Sequence, residues 1–67
     1  MGSVLKVIEV LAESDKSWEA AAQSAVDKAK KSVHGIKSVY IENFEAKVDD
    51  GKITSFRVNA KLTFLLD

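Results

Sequence analysis

The 67-residue sequence contains no cysteine, no proline and only one histidine. Disulfides and Cys/His zinc sites are therefore excluded as sources of stability, because the chain lacks the side chains that form them. A chain of this length forms one small domain, whose core is marginal unless a disulfide, a metal or oligomerisation supports it. We therefore expect a single domain over residues 1–67 that associates with copies of itself.

An excess of one charge and long hydrophobic runs are also absent. Ten basic and ten acidic residues give a formal net charge of zero, so no overall field attracts nucleic acid or an anionic membrane. The apolar stretches are short and interrupted by charges, which is not the pattern of a transmembrane helix or a signal peptide. These features predict a cytoplasmic protein with no nucleic-acid or membrane partner.

The hydrophobic pattern predicts the element order β-α-β-β. Residues 4–11 are rich in β-branched and aliphatic side chains, which favours a first strand. Ser14 or Asp15 is expected to be the N-cap of an amphipathic helix whose apolar stripe begins at Trp18. Gly35, which readily adopts positive φ, is expected to end the helical region.

The second half of the chain predicts a long β-hairpin with strands at 37–48 and 52–66. The segment Asp49-Asp50-Gly51 is typical of a three-residue turn with a glycine bulge. Such a turn would place Val48 opposite Lys52 and, further along the strands, Phe44 opposite Phe56.

The two hairpin strands differ in how regularly their apolar residues alternate. In the last strand, alternate residues from Thr54 to Leu66 form one face, which is expected to contact the helix. In the other strand the alternation breaks near Glu42 and Asn43, so either a bulge resets the register or both faces are covered. One alanine-rich helix can cover only one face of the sheet, and we therefore expect other subunits to cover the second.

No arrangement of acid, base and nucleophile can be assembled from the sequence, so we expect a protein that is not an enzyme. His34 lies at the predicted helix end, where a capping or surface role is favoured over catalysis. Trp18 lies on the apolar stripe, which favours core or subunit packing over ligand stacking. Arg57, the only arginine, lies in mid-strand, and pairing with Glu45 or with a neighbouring subunit is favoured over a ligand contact.

Oxygen-bearing side chains in the second half of the chain could bind Ca²⁺. The candidates are Glu42, Asn43, Asp49 and Asp50. They lack the alternating ligands and the closing glutamate of an EF-hand, and turn chemistry alone explains Asp49 and Asp50. Calcium binding is therefore the alternative hypothesis.

Taken together, several segments resemble the dodecin family. They are VLKVIEVLAES, SWEAAAQSAVDKA, the break at His34-Gly35-Ile36, and ITSFRVNAKLTFLL. The resemblance extends over nearly the whole chain and rests on the order and lengths of the segments. It implies an α+β fold in which a three-stranded antiparallel sheet wraps around one helix. It also implies a hollow homododecamer that stores or buffers a ligand, which in many members is a flavin such as FMN or riboflavin.

The resemblance further implies that the family's flavin site is altered here. The tryptophan that stacks on the flavin ring in flavin-binding members corresponds to Ser38, and the glutamine that binds the polar edge of the ring corresponds to Arg57. Basic residues that approach ligand phosphates in some members correspond to Glu45 and Leu65. Tyr40 is an aromatic side chain that could compensate. The chain therefore resembles the flavin-poor branch of the family, in which calcium binding occurs.

Overall fold

The computed structural model describes residues 2–66 as three strands and one helix. The elements are β1 (Leu5–Ser14), α1 (Trp18–Ala29), β2 (Ile36–Asp49) and β3 (Lys52–Leu65). The strands form one antiparallel sheet in the order β1-β3-β2, and α1 packs on one of its faces. The α+β class and the β-α-β-β order predicted from the sequence are confirmed. No helix in residues 2–66 is long and apolar enough to cross a membrane.

The N-cap of α1 is Ser17, so the prediction of Ser14 or Asp15 is wrong. The Ser17 Oγ accepts a hydrogen bond from the Ala20 N–H at 2.9 Å, which is the usual geometry of an N-cap. Ser14 is instead the last residue of β1, and its Oγ accepts from the Lys16 N–H at 3.0 Å. The first strand thus ends later than predicted, because its pairing with β3 continues to this residue.

Replacing Ser17 with alanine is expected to lower the free energy of unfolding by about 1 kcal/mol, because the Ala20 N–H loses its acceptor at the helix start. Urea denaturation at one fixed protein concentration measures this loss, since association also contributes to stability. Ser14→Ala is the matched control and is expected to cost less. Equal losses in the two variants would contradict the assignment of the N-cap.

The hairpin turn is tighter than the sequence suggested. Asp50 and Gly51 both have positive φ, at 52° and 75°, and the closing pair is Asp49 and Lys52. This is a two-residue type I′ turn, which matches the twist of the flanking strands and in which aspartate tolerates the left-handed region. The predicted three-residue turn, with Val48 opposite Lys52, is wrong.

The tighter turn, together with a register shift between Lys47 and Val48, moves the aromatic residues out of the predicted pairing. Phe44 lies opposite Val58, and Phe56 lies opposite Ala46, so the predicted Phe44–Phe56 cross-strand pair is wrong. Both rings instead contact Trp18 edge-on, with centroids 5.4 Å and 4.9 Å from the indole. Phe44 remains 63% exposed in the isolated subunit.

A β-bulge interrupts β2 where the apolar alternation breaks. Ile41 pairs with Ala60 and Asn43 pairs with Asn59, which leaves Glu42 as the extra residue. The inserted residue returns the apolar side chains of β2 to the helix-covered face. The bulge alternative considered for this strand is therefore confirmed.

The core is a single thin layer between α1 and the sheet. Its buried residues are Ala21, Ala25, Val58, Ala60 and Leu62. Two helix alanines against three β3 side chains allow a close approach, and they confirm that this face of β3 contacts the helix. We call the opposite face of the sheet the outer face. No element in residues 2–66 packs against it.

Candidate functional site

The predicted ligand positions all lie on the outer face, but Thr63, which pairs with Ser38, lies six residues from Arg57 along β3, which is roughly 20 Å. Alternation along β3 places Arg57, Asn59, Lys61 and Thr63 there, because Val58, Ala60 and Leu62 face α1. In the strand register, each of these four β3 residues has one neighbour on β1 and another on β2. The resulting rows are Val7-Thr63-Ser38, Glu9-Lys61-Tyr40, Leu11-Asn59-Asn43 and Glu13-Arg57-Glu45.

Arg57 is held between two carboxylates from the flanking strands. Its Nε and Nη2 donate to Glu13 Oε2 at 2.9 Å and 2.7 Å, and its Nη1 donates to Glu45 Oε1 at 3.5 Å. The predicted pairing with Glu45 is confirmed within one chain. Glu13 is the closer partner and was missed, because sequence alone does not reveal that residues 44 positions apart face each other across β1 and β3.

These contacts keep the Arg57 guanidinium charged and hydrogen-bonded. The hydrogen bond from Arg57 to Glu13, together with the charges of Glu13 and Glu45, raises the pKa of Arg57. An arginine side chain offers donors and no acceptor. At this position the outer face therefore presents a cluster of one arginine and two carboxylates that is already hydrogen-bonded.

A second ion pair lies further along the outer face. Lys61 Nζ is 3.0 Å from Glu42 Oε1. The hydrogen bond and charge of Glu42 raise the pKa of Lys61, with a smaller contribution from Glu9. Because the folded-state pKa is raised, this pair stabilises the fold at pH values below the unfolded-state pKa of lysine. The contribution is lost as the pH rises through the folded-state value.

We expect Glu42→Gln to lower the pKa of Lys61 towards its ordinary value, because the largest cause of the shift is removed. The measurement is an NMR titration of the Lys61 side chain between neutral and strongly alkaline pH. Glu9→Gln is the matched control, and its effect should be smaller because Glu9 acts only through its charge. A larger shift in the control would show that the pair assignment is wrong.

Ser38, the position that the resemblance assigns to ring stacking, has a hydroxyl and no ring. The hydroxyls of Ser38 and Thr63 are hydrogen-bonded to each other. Tyr40 lies one row further along β2, roughly 7 Å away by strand geometry, and is 63% exposed. An aromatic surface is therefore present on the outer face, one row away from Ser38.

The candidate calcium ligands fall into two separate groups. Glu42 and Asn43 lie at the bulge of β2, whereas Asp49 and Asp50 lie at the hairpin turn. Six residues of extended strand separate the groups, which is roughly 20 Å. One ion cannot contact both groups in a single subunit, and residues 2–66 contain no cluster of three His, Cys, Asp or Glu side chains that could hold a metal.

Two open apolar grooves flank α1. The groove between α1 and β1 has a volume of about 480 Å³ and includes Val10 and Ala25 in its lining. The groove between α1 and β2 has a volume of about 380 Å³ and is lined by Trp18 and Phe44 among others. The Trp18 indole N–H donates to the Glu45 backbone oxygen at 3.0 Å, which fixes the ring at the groove wall.

The helix covers one face of the sheet only, and apolar side chains remain exposed on both faces. These features define a small β-α-β-β protein that buries its remaining apolar surface by associating with other subunits. The chain belongs to the dodecin family, because the family model described as Dodecin matches residues 4–67. It is similar to the calcium dodecin of Mycobacterium tuberculosis, with 40% identity over 63 residues that cover 92% of this chain and 87% of that protein.

Solved structures show the same fold. A crystal structure of M. tuberculosis calcium dodecin, described as calcium chelating with a novel calcium-binding site, has 36% identity and a TM-score of 0.81 and covers 97% of this chain and 93% of its own. A Thermus thermophilus dodecin variant has 23% identity, a TM-score of 0.91 and 98% coverage of both chains. The Streptomyces davaonensis dodecin has 19% identity and a TM-score of 0.90, covering 100% of this chain and 98% of its own.

Proposed function

We propose that this chain is the single-domain subunit of a cytoplasmic homododecameric shell that binds and stores a small ligand and performs no catalysis. Membership of the dodecin family supports the assembly. The single observation that carries the proposal is the outer face, where Leu11 and Tyr40 are 66% and 63% exposed. Exposed apolar surface on so small a unit is typical of an interaction site.

The outer face does not fit a phosphate-bearing flavin. Ser38 provides no ring for stacking, and the donors of Arg57 are already engaged with two carboxylates. Acidic residues also outnumber basic ones in the paired clusters, which consist of Glu9, Glu13, Glu42 and Glu45 with Arg57 and Lys61. The surplus negative charge repels a phosphate, so FMN is expected to bind weakly.

Two measurements on the same sample test this proposal. Light scattering should give a mass close to twelve times that of the subunit, as expected for a dodecin. Titration calorimetry with riboflavin and with FMN should give heat for riboflavin at high concentration and less for FMN. A mass close to one subunit at micromolar concentration would overturn the assembly, and tight FMN binding would overturn the weakened flavin site.

A second candidate function is calcium binding, which is favoured by the 40% identity with calcium dodecin. We propose that any site is completed between subunits, since the two groups of candidate ligands are too far apart within one. Asp49 and Asp50 at the turn are the more available group, because Glu42 is paired with Lys61. Aspartate carboxylates are suitable Ca²⁺ ligands.

Calorimetry with CaCl₂ distinguishes the two groups. Asp50→Asn preserves the turn, because asparagine also tolerates positive φ, and it is expected to weaken Ca²⁺ binding at the hairpin. Glu42→Gln is the matched control at the bulge and is expected to leave Ca²⁺ binding unchanged. If Glu42→Gln weakens Ca²⁺ binding and Asp50→Asn does not, the site lies at the bulge. If the wild-type protein gives no heat with Ca²⁺, calcium binding is not a function of this protein.

A further inference from the structure

The charges of this neutral chain are separated along its sequence. Residues 28–37 contain four lysines, one histidine and no acidic residue, whereas residues 42–50 contain four acidic residues and one lysine. The formal net charge of zero therefore combines one basic and one acidic segment. Charge concentrated in one place produces a local field that the net charge does not reveal.

The fold places the basic segment at one end of the molecule. The Leu65 N–H donates to the Gly35 backbone oxygen at 3.1 Å, so the segment lies where β2 begins and β3 ends. Lys6 lies at the same end, because Lys6 and Ile36 both pair with Phe64. The acidic hairpin turn lies at the other end of these strands, in a subunit that is 53 Å long.

The C-terminal end of α1 lies next to the same end of the sheet. Lys28, Ser32 and Val33 line one groove with Ile8 of β1, and Ile8 lies two residues from Lys6 on the same face of that strand. The helix end therefore brings its lysines close to those of the strands. We call this group of six residues the basic end. It consists of Lys6, Lys28, Lys30, Lys31, His34 and Lys37.

Most of the positive charge of the basic end has no acidic partner in residues 2–66. Of its lysines only Lys30 forms an ion pair within that part of the chain, with Asp27 at 3.4 Å, and the other four are exposed. The helix dipole accounts for a cation at Lys28, in the last turn of α1. It does not account for Lys6 and Lys37, which lie on strands.

The basic end fits an anion that offers phosphate groups and no bases. Lysine binds phosphate oxygens as a point charge. None of residues 28–37 is aromatic, so the segment has no ring on which a nucleic-acid base could stack. The outer face is a poorer site for such an anion, because Arg57 and Lys61 there are paired with carboxylates.

We propose that the basic end binds linear inorganic polyphosphate. This function goes beyond the small-ligand store proposed above and rests on it in one respect. In a shell of many copies, one long polyphosphate chain can bind several basic ends, and the resulting effective concentration raises its affinity. Because binding neutralises phosphates and releases their counterions, the affinity is expected to fall with increasing salt.

Two double variants with the same net charge test the position of this site. Lys31→Gln/Lys37→Gln removes two charges from the basic end, and Lys47→Gln/Lys52→Gln removes two beside the acidic hairpin turn. Fluorescence anisotropy with end-labelled long-chain polyphosphate measures the dissociation constant over a series of salt concentrations. For the first variant it is expected to rise about 30-fold, by analogy with lysines near an anionic lipid surface, with a shallower salt dependence. The second variant is expected to bind as the wild-type protein does.

Several results would contradict the proposal, and light scattering on the same samples separates them from a failure of assembly. Equal losses in the two variants would mean that polyphosphate does not bind at the basic end. Single-stranded DNA that binds as tightly as polyphosphate would overturn the choice of ligand. An assembled wild-type protein that binds no polyphosphate would overturn this proposal and leave the shell intact. A monomeric protein that binds polyphosphate would overturn the shell alone.

Discussion

Replacing Leu62 with alanine is expected to lower the free energy of unfolding by about 2 to 5 kcal/mol. Leu62 is fully buried in the middle of β3, between Ile8 on one neighbouring strand and Val39 on the other. The facing helix contributes mainly alanines, which cannot extend to fill the cavity. Since small domains are stable by only about 5 to 15 kcal/mol, this loss threatens the fold itself.

Urea denaturation followed by circular dichroism, at the same protein concentration for each variant, measures the loss. Val48→Ala is the control, because Val48 is 61% exposed near the hairpin turn, and it should change stability by no more than about 0.5 kcal/mol. A loss below about 1 kcal/mol in Leu62→Ala would show that α1 does not cover β3 as described.

The local parts of this fold could be predicted from the sequence because they depend on short-range periodicity. Alternation in β3 identified the side that contacts α1, and it is confirmed by the burial of Val58, Ala60 and Leu62. The break in alternation near Glu42 located the bulge. The turn type was missed, because an aspartate followed by glycine is compatible with both a two-residue and a three-residue loop.

The candidate site shows the same division between local and long-range information. Arg57 and Glu45 face each other within one hairpin, so their pairing could be predicted once the two strands were placed. Glu13 joins them only because β1 returns to the other side of β3. No local pattern specifies that register.

Replacing Ser38 with tryptophan is expected to raise the affinity for riboflavin by about 5-fold to 150-fold. An aromatic platform contributes roughly 1 to 3 kcal/mol per stacked ring, by analogy with stacked bases, and each 1.4 kcal/mol is a factor of ten. Ser38 is exposed on the outer face beside Thr63, so a larger side chain there replaces one hydroxyl hydrogen bond. Quenching of flavin fluorescence measures the dissociation constant.

Ser38→Leu separates stacking from added apolar bulk, and a gain equal to that of the tryptophan variant would show that stacking is not the cause. FMN gives a further comparison, because the outer face next to Ser38 carries two carboxylates, Glu9 and Glu42, around the single lysine Lys61. In the Ser38→Trp protein FMN should therefore bind more weakly than riboflavin. The difference should narrow with increasing salt, since screening weakens repulsion between exposed charges. A difference that does not depend on salt would mean that the carboxylates beside Lys61 do not determine which flavin is bound.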